Sequence, residues 1–214
     1  MDPKIVLFQG DSITDAGRSR DTDINPGYGY ADMVTGALGL AYPYQFTCYN
    51  RGISGNRVVD LYARIRKDMI HLKPDYMSIL IGINDVWHHH AFEYVETTDE
   101  QFEANYRTVL DAVKSRTNAR ILMIQPFLLE SVDPAKQELC EELSRKQAIV
   151  KRLADEYADA YLPLDEILHA MDEEDPSYYS ADGVHPTPDG ACCIGEAYLG
   201  AIVPLVELLS QEDR

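Results

Sequence analysis

Five short apolar segments along this chain are separated by longer stretches with helical periodicity. Runs of Ile, Val, Leu and Phe that end in turn residues are typical of the buried strands of a parallel sheet. Since strand and helix alternate throughout, the pattern predicts a parallel sheet covered by helices on both faces and joined by right-handed crossovers. The predicted strands cover residues 5–10, 46–50, 76–81, 121–125 and 160–164.

The segments between the strands repeat apolar residues every three or four positions, which is the spacing of one helix face. The clearest stripe comprises Phe102, Tyr106, Val109, Leu110 and Val113. The last stripe comprises Ile194, Tyr198, Ala201, Leu205 and Leu208. Pro204 lies within that last segment and predicts a kink or an early end there. The predicted helices cover residues 28–40, 58–70, 100–115, 137–157 and 189–209.

Length and charge narrow the class of protein. A chain of 214 residues with 45% hydrophobic content is ordinary for one globular domain, so we expect a single domain over residues 1–214. The formal net charge of −17 argues against nucleic acid or an anionic membrane as a partner, because phosphate binding depends on Lys and Arg. Small neutral or weakly charged substrates are the better expectation.

The absence of a recognisable export signal and the spacing of the cysteines predict a cytoplasmic location. Four apolar residues follow the initial MDPK, far fewer than an export signal needs, and we expect no run that approaches a membrane span. Cys192 and Cys193 are adjacent and poorly placed to bridge one another, and the four cysteines show no zinc-ligand spacing. The acidic run at residues 172–175 is expected to be a solvated loop.

Reactive side chains follow several of the predicted strands. Ser12 comes directly after the first strand, where a glycine permits a sharp turn and backbone N–H groups can meet an oxyanion. Asn84 follows the third strand and can donate to developing negative charge. Asp182 and His185 lie three residues apart in a turn, so that the carboxylate can orient the imidazole. Each feature alone is compatible with an ordinary cap or turn, but together they indicate a hydrolytic site.

Two other features offer competing interpretations. Ser54 lies in the glycine-bearing loop at residues 50–56 and is the alternative nucleophile, although its glycines suit backbone N–H donors better. Three adjacent histidines, His88, His89 and His90, suggest a metal. Adjacent histidines cannot all converge on one ion, and no neighbouring residue in the sequence completes a site, so we expect no metal.

Four sequence blocks carry a family resemblance: Gly-Asp-Ser at 10–12, Ile-Ser-Gly at 53–55, Gly-Ile-Asn-Asp at 82–85 and Asp-Gly-Val-His at 182–185. In order and spacing they resemble the blocks of the SGNH (GDSL) hydrolases. The resemblance implies a flavodoxin-like, three-layer α/β/α sandwich with a central five-stranded parallel sheet, and a serine esterase without metal or organic cofactor. The wider sequence around these blocks looks most like the intracellular esterases that remove acetyl groups from xylo-oligosaccharides.

The resemblance also implies roles for individual residues. Ser12 is then the nucleophile, His185 the general base and Asp182 the residue that orients it. The backbone N–H groups of Ser12 and Gly55 and the side chain of Asn84 form the oxyanion hole. Further positions are possible substrate contacts: Asp11, Tyr28, Tyr30, Arg57 and Trp87.

Three alternatives to a carbohydrate acetyl esterase remain open. A lysophospholipase or a thioesterase of the same fold is the enzymatic alternative, although no long apolar lid is visible in the sequence. A flavodoxin-like binding module without catalysis would not need Ser12, Asp182 and His185 at these positions. A homo-oligomer is compatible with the family resemblance.

Overall fold

The computed structural model describes residues 2–92, 95–171 and 175–212, with side chains described up to residue 207. Most of the acidic run at 172–175 and the side chain of Leu208 therefore lie outside the described residues.

Five parallel strands form one sheet at the centre of the molecule: β1 (Lys4–Gly10), β2 (Phe46–Asn50), β3 (Tyr76–Leu80), β4 (Arg120–Ile124) and β5 (Ala160–Leu162). Their order across the sheet is β2-β1-β3-β4-β5. This arrangement confirms the predicted fold class. The chain leaves β1 in one direction to reach β2 and later returns to the other side of β1 to form β3. Because connections diverge there, a crevice forms beyond the carboxyl ends of β1 and β3, where open α/β sheets bind ligands.

Helices cover both faces of this sheet. The described α-helices are α1 (Ser12–Asp15), α2 (Tyr30–Ala41), α3 (Val58–Asp68), α4 (Ile83–Phe92), α5 (Asp99–Arg116), α6 (Cys140–Tyr157), α7 (Leu164–Met171) and α8 (Pro188–Glu212). One face packs against α2 and α8, which also contact one another, and the other packs against α3, α5 and α6. Short 3₁₀ segments occupy residues Ile70–Leu72, Pro134–Leu139 and Pro176–Tyr178.

Alternation along β1 divides the core between the two faces. Phe8 points towards α2 and α8, where its ring lies 5.9 Å from that of Tyr30 and 5.3 Å from that of Tyr198. Leu7 points to the opposite face and joins the residues of α3 and α5. The stripe predicted on α5 is fully buried there, as helical periodicity requires. The sheet is consequently buried on both sides, which holds the strand ends rigidly in place.

Several boundaries differ from the sequence predictions. The helices α4 and α7 were not predicted, and the last predicted strand ends at Leu162 because a helix begins at Leu164. The helix predicted from residue 137 begins as a 3₁₀ turn and becomes α-helical at Cys140. The chain continues as helix α8 through Pro204 to Glu212, so the early end predicted there is wrong.

Helix α8 also corrects the expectation about membrane-spanning length. Residues 188–207 are long and apolar enough to cross a membrane by length and composition alone. Ile194, Tyr198 and Ile202 of this helix are fully buried against the sheet and α2. That burial is the pattern of a core helix, whose apolar face is covered by the protein itself.

Candidate active site

A tight turn between β1 and α1 places Ser12 at the mouth of the crevice. A Cβ at Gly10 would lie 2.4 Å from the Leu80 carbonyl oxygen, so only glycine allows β1 to approach β3 this closely. Asp11 then caps α1 by accepting a hydrogen bond from the Ile13 N–H at 3.0 Å. These two constraints make Ser12 the first residue of a helix at the strand's carboxyl end.

A hydrogen-bonded chain joins Ser12, His185 and Asp182. The Nε2 atom of His185 lies 2.9 Å from Ser12 Oγ, and its Nδ1 lies 2.8 Å from Asp182 Oδ2. The other Asp182 oxygen accepts the backbone N–H groups of Val184 at 2.9 Å and His185 at 2.7 Å. Because an ionised carboxylate can only accept, His185 donates through Nδ1 and presents Nε2 to the serine hydroxyl.

The turn that carries this pair depends on Gly183. Its φ of +82° lies in the left-handed region, and an added Cβ would come within 2.5 Å of the Leu129 carbonyl oxygen. A side chain at this position would therefore displace Asp182 from His185. The positive φ and the close approach to Leu129 thus explain why the block at 182–185 contains a glycine.

Each member of the pair shifts the other's proton affinity. The hydrogen bond to Asp182 raises the pKa of His185, although burial opposes the shift. Conversely, burial raises the pKa of Asp182, but the hydrogen bonds from His185 and Val184 outweigh it and hold that pKa below its usual value. Asp182 is therefore ionised at neutral pH, and its charge favours the protonated form of His185.

The pH dependence of catalysis should follow His185. The imidazole must be neutral to accept a proton, so we expect kcat/KM to rise with pH through a midpoint above the ordinary histidine value of about 6.5. In Asp182→Asn the partner charge is lost, so the residual activity should rise at a lower pH. Steady-state rates across the pH range test this, and an unchanged midpoint in the variant would contradict the coupling.

Asn84 lies on the other side of the crevice, in the first turn of α4. Its Nδ2 donates to the Asn56 carbonyl oxygen at 3.1 Å, which fixes the amide plane. An amide nitrogen carries two hydrogens, so one remains for a ligand. Gly55 precedes Asn56 in the same loop, is exposed and has a φ of +79°. The hydrogen bond therefore ties together two of the three predicted oxyanion donors.

Arg64 of α3 holds this loop against β1, and the sequence analysis did not single it out. Its guanidinium donates to the Arg51 carbonyl at 2.6 Å, to Asn56 Oδ1 at 2.8 Å and to the Gly10 carbonyl at 3.2 Å. One side chain thus connects the loop to the turn before Ser12. Planar, multi-donor recognition of this kind is characteristic of arginine. A lone arginine in a helical stripe gives no signal of such a role.

Asp15 fixes Ser54, the alternative nucleophile. The carboxylate accepts both the backbone N–H and the hydroxyl of Ser54 at 2.9 Å, and it also pairs with Arg20 at 2.6 Å. The Ser54 hydroxyl thus donates a hydrogen bond to the Asp15 carboxylate. Burial raises the pKa of Asp15, but the pairing with Arg20 and the hydrogen bonds from Ser54 outweigh it and keep that pKa below its usual value. A carboxylate in that state is a poor base for activating a hydroxyl. This geometry favours Ser12 over Ser54.

Replacement of Asn84 by alanine should lower kcat about a hundredfold or more with little change in KM. The amide should bind the oxyanion of the transition state far more strongly than the carbonyl of the substrate. Steady-state hydrolysis of p-nitrophenyl acetate measures both constants. Asn118→Ala, at an exposed position before β4 and so at the opposite edge of the sheet, is the matched control. A rise confined to KM would instead make Asn84 a substrate-positioning residue.

A cleft of about 290 Å³ opens beside Ser12 and His185, and Tyr28 stands on its rim. The Tyr28 side chain is 76% exposed, but its ring packs over Gly17, where an added Cβ would lie 2.3 Å from the ring. The lack of a side chain at Gly17 therefore lets the Tyr28 ring pack against the backbone while its other face remains open to solvent. An exposed aromatic face at a cleft is well suited to a sugar ring or another flat, partly apolar group.

Trp87 approaches the site from α4. Its ring centroid lies 5.9 Å from that of His185, and the Lys136 ammonium lies 4.7 Å from the indole centroid. Lys136 is buried and donates a hydrogen bond to the Asp182 carbonyl oxygen. This lysine, which the sequence analysis did not single out, connects the wall of the site to the turn that carries the histidine.

Two of the possible substrate contacts have structural roles. The expectation for Asp11 is wrong, because its side chain is 1% exposed and caps α1 beneath the site. Burial raises the pKa of Asp11 to about 7. When Asp11 is ionised, its negative charge raises the pKa of His185. Arg57 is partly exposed and pairs with Asp60 at 3.5 Å in the first turn of α3. Its contact with substrate stays a prediction, as does that of Tyr30, which lines the cleft but is almost fully buried.

Comparison with known proteins agrees with the geometry. Residues 8–191 match the model of the GDSL-like lipase/acylhydrolase family. The chain is 35% identical to an acetylxylan esterase of Geobacillus stearothermophilus, over 92% of this chain and 93% of that one. A crystal structure of an acetylxylan esterase from the same organism superposes with a TM-score of 0.81, 31% identity and coverage of 93% and 95%. A putative GDSL-like lipase of Parabacteroides merdae gives a TM-score of 0.83, 31% identity and the same coverage.

Proposed function

The chain belongs to the GDSL-like lipase/acylhydrolase family and is a carboxylic ester hydrolase, and on that premise we propose that it removes acetyl groups from xylo-oligosaccharides or related carbohydrates through an acyl-enzyme. The observation that carries the mechanism is the hydrogen-bonded chain from Ser12 through His185 to Asp182 beside an open cleft. Among the solved structures of the Geobacillus acetylxylan esterase are a serine and an aspartate variant described as catalytic mutants.

The acylation half-reaction uses the groups in order along that chain. Ser12 Oγ attacks the ester carbonyl carbon while its proton passes to His185 Nε2. Negative charge develops on the carbonyl oxygen, where the N–H groups of Ser12 and Gly55 and the Asn84 amide receive it. The carbon–oxygen bond to the sugar then breaks, and the departing oxygen takes the proton from His185. The products are the free sugar hydroxyl and an acetylated Ser12.

Deacylation repeats these steps with water as the nucleophile. His185 removes a proton from water as it attacks the acetyl carbonyl, and the same donors hold the second oxyanion. The bond to Ser12 breaks, Oγ recovers its proton from His185, and acetate leaves. Asp182 remains ionised throughout and stabilises the imidazolium in both halves, in keeping with its lowered pKa.

Three features support a carbohydrate substrate. The curated relative at 35% identity is an acetylxylan esterase. The solvent-facing ring of Tyr28 on the cleft rim suits a sugar ring. The net charge of −17 favours a neutral ligand over an anionic phospholipid surface. Hydrolysis of lipid or thioester substrates by the same site is the alternative that the experiment must separate.

The test compares kcat/KM for p-nitrophenyl acetate, butyrate and octanoate, followed by acetate release from acetylated xylo-oligosaccharides. We expect activity to fall as the acyl chain grows, because overfilling a packed pocket costs about 1–3 kcal/mol. We also expect acetate release from the acetylated oligosaccharides. A preference for octanoate, or no acetate from any acetylated sugar, would refute the carbohydrate assignment and favour the lysophospholipase or thioesterase alternative.

Trp87→Ala should relax the chain-length preference. The ring lies 5.9 Å from the His185 ring, so its removal opens space next to the acyl group. We expect the ratio of octanoate to acetate kcat/KM to rise roughly tenfold, the order expected when one or two methylenes gain room. Tyr44→Ala removes an exposed aromatic side chain before β2, at the opposite edge of the sheet, and is the control. An unchanged ratio in Trp87→Ala would show that the ring only supports the surrounding loop.

A further inference from the structure

Two of the three adjacent histidines converge on one buried carboxylate. On the last turn of α4, His89 Nε2 lies 3.5 Å and His90 Nε2 lies 3.3 Å from Glu142 Oε2 of α6. These three side chains can each offer one ligand atom within 4.8 Å of the others. Glu142 follows His90 by 52 positions. Sequence spacing could not reveal this third group, and the expectation of no metal rested on its absence.

The carboxylate of Glu142 is buried without full compensation. Its side chain is 9% exposed, and among the described residues Oε1 has no hydrogen-bond partner. Lys146 lies 3.9 Å from Oε1, but its ammonium is engaged by Asp99 at 2.7 Å and by the Thr97 carbonyl at 2.6 Å. Buried charge is costly unless it is paired or binds a metal. Glu142 therefore offers a buried carboxylate whose Oε2 faces both imidazoles and whose Oε1 accepts no hydrogen bond among the described residues.

The spacing between each imidazole nitrogen and the Glu142 oxygen fits a small tetrahedral ion. Zinc binds imidazole nitrogen and carboxylate oxygen at about 2.0–2.2 Å, which places two ligands of a tetrahedron about 3.4 Å apart. The two nitrogen–oxygen distances here bracket that value. His90 is exposed, so an ion has access from solvent and a water can complete the coordination.

A further carboxylate lies behind one of the imidazoles. His90 Nδ1 is 3.7 Å from Glu138 Oε1, on the 3₁₀ segment before α6. Histidines that bind metal through one nitrogen usually direct the other N–H at a carboxylate, which fixes the ring. An ordinary N–H···O hydrogen bond is about 2.7–3.2 Å long, so Glu138 Oε1 needs to move by less than about 1 Å to accept one from His90 Nδ1.

We propose that His89, His90 and Glu142 form a binding site for a borderline divalent transition-metal ion, with Zn²⁺ as the best fit and Glu138 as an outer partner of His90. Imidazole ligands favour such ions, whereas Mg²⁺ and Ca²⁺ prefer sites built from oxygen. The bound ion joins the end of α4 to α6. Since Asn84 and Trp87 lie on α4, the ion stabilises the helix that carries them but takes no part in ester hydrolysis.

The test is a titration of Zn²⁺ into untagged full-length protein, previously freed of metal with a chelator that is then removed. Isothermal calorimetry should show a site that is lost or weakened at least about tenfold in Glu142→Gln, since even loss of an outer partner weakens metal binding tenfold or more. Glu142→Gln keeps His185 and Asp182, so zinc binding to those two residues would contribute equally to the wild-type and variant signals. Mg²⁺ and Ca²⁺ should give no comparable signal.

Thermal unfolding supplies a second readout. Saturating Zn²⁺ should raise the Tm of the wild type by roughly 5 °C, and that of Glu142→Gln or His90→Ala by much less. His90→Ala alters an exposed side chain and keeps the test valid if Glu142→Gln folds poorly. His71→Ala, at an exposed histidine elsewhere, should behave as the wild type. Equal Zn²⁺ affinity and Tm shift in wild type and both site variants would overturn the proposal, as would no binding to the wild type.

Discussion

Ser12→Ala is expected to lower kcat for ester hydrolysis by roughly a hundred-thousandfold or more, because the variant lacks the oxygen that would bond to the acyl group. The thermal midpoint should change little. The Ser12 hydroxyl makes its hydrogen bond to His185 at the exposed edge of the cleft and fills no part of the apolar core. Hydrolysis of p-nitrophenyl acetate and a thermal melt measure the two effects on the same preparation.

Two serine controls make this result specific. Ser115→Ala, on the exposed last turn of α5, should retain full activity. Ser54→Ala removes the alternative nucleophile and one hydrogen bond to Asp15, so any loss should be modest and should accompany a disturbed loop. If Ser12→Ala kept activity within tenfold of the wild type while Ser54→Ala lost it, the nucleophile would be Ser54.

His185→Ala should reduce kcat nearly as much as Ser12→Ala, and Asp182→Asn should reduce it about ten-thousandfold or less. The base removes the serine proton, whereas the carboxylate orients the ring and stabilises its charged form. Because the three groups act as a unit, adding either change to Ser12→Ala should cost little more. Steady-state rates of the single and double variants measure this.

Multiplicative losses in the double variants would count against a concerted triad. They would mean that His185 and Asp182 contribute through a route that does not need Ser12. His71→Ala controls for loss of a histidine as such, since this residue is exposed and lies before β3, at the opposite edge of the sheet.

Sequence patterns predicted the sheet well because buried parallel strands leave a strong signal. Each of the five strands lies within two residues of its predicted bounds, and the α5 stripe is buried as the periodicity required. Helix α4 was missed because Asn84 and Asp85 interrupt the apolar residues of its first turn and three histidines follow Trp87, so no long apolar stripe forms. Helix α7 was missed because Leu162 and Leu164 read as one apolar run, although a helix starts at the second of them.

Within the site, contacts between residues close in sequence could be predicted, whereas contacts between distant elements could not. Asp182 and His185 lie within one turn, so their pairing could be inferred from spacing. Contacts between elements could not, and Lys136 reaches Asp182 across 46 positions. The burial of Asp11 was equally hidden, because its sequence neighbours are the same whether the side chain faces the crevice or caps a helix. Side-chain direction follows from packing, which spacing alone does not encode.

The identity of the acylated residue tests the central claim most directly. Trypsin cleaves after Lys4, Arg18, Arg51 and Arg57, so it separates Ser12 and Ser54 onto different peptides. Wild-type protein mixed with p-nitrophenyl acetate, stopped in acid within the first turnover and digested, should carry one acetyl group on the peptide that contains Ser12, and the same peptide from Ser12→Ala should carry none. Acetyl on the peptide that contains Ser54, or turnover with no acetylated serine at any time point, would contradict a mechanism through an acyl-Ser12 intermediate.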